Sequence, residues 1–190
     1  MIKNLFALVG FVVVVATVLL GVKAKDIAAS FDPKAPAVYL ELAENVLKTK
    51  SAAEATIWKV PVADDLSADE VEEAMKLVAN ELNIAHVAEL PLYKDVAAKL
   101  GKEYRYVKIF MFCNSLTAAK MLDYNDAFSA YLPCRITLIE DKSGKLWLVS
   151  LNMDLMIYGG APLPPALKEE SIRVKEIILE VMNRAAEGEF

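Results

Sequence analysis

At 190 residues and 56% hydrophobic, the chain is long enough for one ordinary domain with a sizeable core. Its 21 basic and 26 acidic residues leave a formal net charge of -5, which excludes the basic face that nucleic-acid binders present to phosphates. One histidine and two cysteines are too few for the four-ligand sets of structural zinc.

Residues 5–22, LFALVGFVVVVATVLLGV, contain no charge and, as a helix rising 1.5 Å per residue, nearly span a bilayer's hydrocarbon layer. The run exceeds the usual signal-peptide core of roughly 7–15 residues. Residues 1–24 are therefore expected to form an uncleaved transmembrane anchor in contact with membrane lipid. The alternative is a cleaved signal ending near Val22-Lys23-Ala24, which would give a secreted form. Lys3 and the α-amino group before the run are balanced by Lys23 and Lys25 after it, so positive charge does not set the orientation. An amino-terminal span followed by a whole domain usually serves export, which places the soluble part on the periplasmic or extracytoplasmic side.

Residues 25–54 read as a connector plus an extra helix, with Val38, Leu42 and Val46 at helical spacing and Pro36 near the start. A core domain is expected over 55–160. It opens on a strand, ATIWKVPV, rich in β-branched and aromatic residues. A helix follows, in which Ser67 and Glu70 form a capping box and Val71, Met75, Val78 and Leu82 share a face. IAHVAELPLY reads as a second strand, and KDVAAKL as a short helix stopped by Gly101. YRYVKIFMFC is a third strand. Its alternation puts Val107, Ile109, Met111 and Cys113 on one face, and Lys108 suggests that the other face, with Tyr106, Phe110 and Phe112, lies nearer water.

SLTAAKMLDYNDAFSAY is expected to be one helix capped by Ser115. PCRITLIE, DKSGK and LWLVSLN form a hairpin, with Cys134, Ile136 and Leu138 on one face. Residues 161–190 hold a closing helix whose inner stripe is Leu167, Ser171, Val174, Ile178, Val181 and Ala185. This order of elements predicts an α+β fold, an antiparallel sheet with helices on one face, preceded by the transmembrane helix.

Chemistry is sparse. His86 stands in a strand without a nucleophile motif beside it and reads as a histidine satisfied by a neighbour. The carboxylates of DLSADEVEE belong to a helix's first turns. P-loop, dinucleotide and metalloprotease patterns are missing. No catalytic residue, no cofactor and no enzymatic activity are expected. The softer alternative is copper, because Cys113, Cys134, Met153 and Met156, with Met111, could supply thiolate and thioether ligands, although such residues more often fill a core. Cys113 and Cys134, read as sharing an inward face, are also a disulfide candidate in an oxidising compartment. A third reading is a small-molecule pocket near YGGAPLPP and Tyr106, Phe110 and Trp147.

Cys113-Asn114, Leu132-Pro133-Cys134 and the segment from Asp154 to Met156, together with the capped helix from Ser67, resemble the bacterial family called domain of unknown function 302. The likeness runs from about Ala55 to about Ile157. Ser115 stands where that family usually has proline, and the anchor, the first helix and the closing helix lie outside the common core. The resemblance implies a small α+β domain with a curved antiparallel sheet, often dimeric. It also implies that the two cysteines are a family feature, and it leaves the activity open. The chain is accordingly expected to be a membrane-anchored, extracytoplasmic, non-enzymatic binding or accessory domain. It would meet a protein partner or a second copy, as in a subunit of a membrane or respiratory complex. The alternative is a thiol-based redox or copper-handling protein using Cys113 and Cys134.

Overall fold

The structure, a computed structural model, describes residues 26–189. The expected anchor at residues 5–22 lies outside them. Among the described residues no helix is long and apolar enough to cross a membrane.

After a helical stretch at 26–29, the described residues form α1 (Ala35–Thr49) and a one-turn α2 (Ala52–Ala55), then enter β1 (Ile57–Pro61). It continues through α3 (Ala68–Glu81), β2 (Ala85–Leu90), α4 (Leu92–Leu100), β3 (Val107–Cys113) and α5 (Ser115–Tyr124). A 3-10 turn (Asp126–Tyr131), β4 (Cys134–Glu140), β5 (Leu146–Leu151), α6 (Asp154–Tyr158) and α7 (Pro165–Ala186) complete it. The five strands form one antiparallel sheet in the order β1-β5-β4-β3-β2, so the α+β expectation holds.

Local chemistry accounts for most boundaries. The Ser67 hydroxyl accepts from the Glu70 amide while the Glu70 carboxylate accepts from the Ser67 amide, and the two bonds start α3 as a capping box. Gly101 and Gly188 close α4 and α7 with φ of 64° and 71°, a region open to glycine without strain. Asp141 organises the β4–β5 turn by accepting from the amides of Ser143 and Lys145.

The core lies between one face of the sheet and the helices α3 and α7. Phe110, Phe112, Ile136, Leu138 and Leu148 are completely buried there against Val71, Met75 and Val78 of α3 and Ile178, Val181 and Met182 of α7. The inner stripe read along the closing helix, from Leu167 to Ala185, is buried at every position.

That packing reverses the reading of β3. The face of Phe110 and Phe112 is the core face, and Lys108 lies on it with its side chain 11% exposed. A lysine can stay there because it is paired: its Nζ lies 2.6 Å from Glu72 of α3 and 3.0 Å from Glu89 of β2.

Two local expectations also change. The helix after β3 is capped by Asn114, whose side chain accepts from the Thr117 amide, and not by Ser115. It ends at Tyr124, because Asn125 turns extended and its side chain accepts from the Ala127 amide, which starts the 3-10 turn. The short α6 is nucleated when Asn152 accepts from the Asp154 amide, and at five residues it is below what periodicity can register.

The connector is docked from Asp32 onward. The Asp32 side chain is fully enclosed, pairs with Lys168 of α7 and accepts from the Lys34 amide, while its own amide donates to the Gly160 carbonyl. Burial opposes ionisation of Asp32, but the Lys168 hydrogen bond, the Lys34 amide and the charges of the two lysines together outweigh it and hold the carboxyl below its usual range. Tyr39 of α1 adds a second tie by donating to the Gly159 carbonyl at 2.7 Å.

Candidate functional site

β3 ends and β4 begins at the same end of the sheet, because the two strands are antiparallel and Phe112 stands opposite Cys134. The chain leaves β3 at Cys113, rises through α5 and the 3-10 turn, and returns through Leu132-Pro133, whose peptide bond is cis, to Cys134. Between this excursion and the sheet lies a cleft of about 310 Å³.

The sheet supplies one wall, with Ile109 and Phe112 of β3, Arg135 and Thr137 of β4, Val149 and Leu151 of β5, and Ile57 of β1. The opposite wall is Thr117, Ala118 and Met121 of α5 with Phe128 and Tyr131 of the 3-10 turn. Met153, Met156 and Val174 close the inner end. This lining is predominantly apolar, as in pockets that hold small organic molecules, and its volume lies at the small end of their range of roughly 300–1,000 Å³.

Among the described residues, Arg135 is the only charged one that lines the cleft. Several of the other polar groups are already engaged. Thr117 donates to Glu170 of α7, Ser150 to the Arg135 carbonyl, and Ser171 to the Leu167 carbonyl. Arg135 itself has no ion pair among the described residues and reaches the surface.

Both cysteines line the cleft and both are free thiols. The shared inward face read for them is corrected by the register. Cys134 stands opposite Phe112 and Cys113 opposite Ala85, so the two side chains leave the sheet on opposite faces. They reach one cleft because it lies round the strand ends. Burial pushes the Cys134 thiol up to about 11, with the neighbouring Cys113 acting in the same direction, and burial raises Cys113 as well. Both are therefore protonated near neutral pH and poorly nucleophilic.

Met153 and Met156 join the two cysteines in the lining, and so does Met121, which sequence reasoning passed over. Met111 does not reach it. Among the described residues no three of His, Cys, Asp and Glu are grouped to hold a metal ion. The aromatics first linked to a pocket lie elsewhere. Phe110 is core, Tyr106 donates to Glu72, and the Trp147 indole donates to Asp141 at 2.8 Å. Arg135 was also missed, although it is the one cation in the strand CRITLIE.

His86 is not satisfied as expected. Its Nε2 is buried without a hydrogen bond, 3.7 Å from the Glu89 carboxylate, and its ring lies against Phe110 and Phe112. It borders the network of Glu72, Lys108, Glu89 and Lys76, in which hydrogen bonds from Lys76 and then Lys108 bring the Glu89 carboxyl down to about 2. Tyr106, half-buried and bonded to the Glu72 carboxylate, is held well above its ordinary value. This network joins α3 to the sheet and does not line the cleft.

Residues 58–185 match the family described as "Domain of unknown function DUF302", a span that takes in nearly all of α7, so the closing helix lies inside the family's domain and not outside it as expected. Among solved structures, the chain is similar to the crystal structure of the uncharacterized conserved protein DUF302 from Bacillus stearothermophilus. The two share 18% identity at a TM-score of 0.55, over 68% of this chain and 98% of that one. At that identity the likeness carries the fold alone. A comparison with curated proteins gave no match.

Proposed function

Because this chain belongs to the DUF302 family, whose name leaves activity open, we propose that it is a membrane-anchored, extracytoplasmic binding domain with no catalytic activity, and that its ligand occupies the cleft beside Cys113 and Cys134. The observation that carries this reading is the lining of the cleft. Among the described residues it offers apolar walls and one cation without an ion pair, with no carboxylate or histidine to move a proton. Residues 5–22 would hold the domain at the bilayer, and docking of the connector from Asp32 onward would keep it close to the surface. As an accessory subunit of a membrane complex, it would present the bound molecule to its partner.

The test is equilibrium dialysis of radiolabelled decanol against nanodiscs carrying the full chain, with empty nanodiscs as the blank. Saturable binding that is lost in Ala118→Phe, which fills the cleft from α5, is the expected result. Uptake equal to that of empty nanodiscs would overturn the reading.

A second reading has its own support. Cys113, Cys134, Met153 and Met156 converge on one cleft, the soft donor set of a copper(I) or thiol-redox protein. The raised thiols oppose it, because a thiolate ligand must first lose its proton. Elemental analysis of protein purified under reducing conditions should find copper at near one equivalent on this reading, and two slowly reacting free thiols without metal on the first.

A further inference from the structure

The cleft has a shape and a charge as well as an apolar lining. Its floor crosses the sheet from β3 through β4 and β5 to β1, reaching Cys113, Arg135, Val149 and Ile57 in turn. Three steps between neighbouring strands, each about 4.8 Å, make a slot about 14 Å long. Met121, Met153 and Met156, which are flexible and unbranched, form part of its inner wall and can adapt to a narrow apolar chain.

The polar part of the slot, on β4 one strand in from its β3 end, is one-sided in charge. Arg135 and Thr137 are two residues apart in β4 and so share a face, and neither side chain has a hydrogen-bond partner among the described residues. Among the described residues no aspartate or glutamate lines the slot. An anionic group beside Arg135 would gain a charge-assisted, bidentate contact, whereas an ammonium would meet a like charge.

We propose that the slot binds an unbranched aliphatic carboxylate of the fatty-acid class, its chain lying across the strand ends and its carboxylate on the Arg135 guanidinium. This rests on the binding reading above and adds the ligand's chemistry. The chain would supply most of the affinity, tightening about threefold to fourfold for each methylene until the slot is full. The head group would supply selectivity, about tenfold for one exposed charge-assisted contact.

The experiment is the same dialysis of the full chain in nanodiscs, with octanoate, nonanoate, decanoate, decanol and decyltrimethylammonium as probes and empty nanodiscs as the blank. Decanoate should bind about tenfold more tightly than decanol, and decyltrimethylammonium most weakly. Arg135→Gln should remove the preference for the carboxylate, and Arg135→Lys should restore part of it. Arg135 is at the surface, so both variants should keep the wild-type circular dichroism spectrum. Equal binding of decanoate and decanol, an unchanged preference in Arg135→Gln, or affinity that does not rise from octanoate to decanoate would overturn the ligand assignment and leave the cleft a binding site. If none of the probes binds above the blank, the cleft is not a site for aliphatic ligands and both readings fail.

Discussion

Lys108 is the residue whose environment most departs from what its chemistry suggests, and replacing it with methionine gives a quantitative test of the packing. Its ammonium is 2.6 Å from Glu72, whose side chain is only 13% exposed, and 3.0 Å from Glu89, which is 35% exposed. In Lys108→Met the methionine fills much the same volume, but Glu72 is left with the Tyr106 hydroxyl and a distant Lys76 at 3.8 Å. Breaking a fully buried pair by removing one partner costs about 3–5 kcal/mol. With Lys76 still near and some solvent access remaining, the loss here should be about 2–3 kcal/mol. Urea titration of the full chain in nanodiscs, followed by the fluorescence of Trp58 and Trp147, should show the midpoint falling by about 1 M.

The acid limb carries a second signature. Glu89 has its folded-state carboxyl lowered to about 2 from the ordinary 4.5, first by Lys76 and then by Lys108. A depressed carboxyl contributes stability that is present above 4.5 and is lost as pH falls from there toward 2. Being more than a third exposed, Glu89 contributes only a fraction of what the shift implies. The loss of stability between pH 5 and pH 2.5 should be shallower in Lys108→Met than in wild type. A variant within about 0.5 kcal/mol of wild type near pH 7, with the same acid slope, would refute the account of β3. Adding Glu72→Leu should recover part of the loss, because it removes the stranded charge.

Three other outcomes are expected. With its thiol at about 11, Cys134 should be alkylated much more slowly than an unperturbed thiol near pH 8, with the rate climbing as pH passes 10; mass spectrometry after timed iodoacetamide treatment reads this, and fast labelling near pH 8 would contradict it. Gly159→Ala should cost about 1–3 kcal/mol in the same urea titration, because a Cβ there would meet the Leu155 carbonyl oxygen at 2.4 Å and shift the backbone that accepts from Tyr39; an unchanged midpoint would show that α6 yields freely. Ile136→Ala, at a fully buried site in the middle strand of the sheet, should cost about 2–5 kcal/mol, and a loss below 1 kcal/mol would place the core elsewhere.

How much of the site could be read beforehand follows from what each signal encodes. The two cysteines and Met153 and Met156 drew attention by residue type, and the structure brings all four to one cleft. Their supposed common face was wrong because alternation is counted within one strand, while facing across a sheet depends on register. Cys113 is the immediate neighbour of Phe112, the residue opposite Cys134, and so faces the other way. Arg135 gave no sign, since a lone cation in a strand usually marks a solvated face.

What the sequence determined by itself was set by local physics. The capping box at Ser67, the glycine stops at Gly101 and Gly188, the β4–β5 hairpin and the stripe of the closing helix all depend on groups within a turn or two of one another. Membership of the family was also expected from the sequence, and residues 58–185 match it. Tertiary structure alone decided which face of β3 is inside, because Lys108 can be buried only when Glu72, distant in sequence, arrives on α3 to neutralise it. It alone made the cleft, whose lining runs from Ile57 to Val174: a cavity belongs to the surfaces that enclose it, and no segment of this chain encloses one by itself.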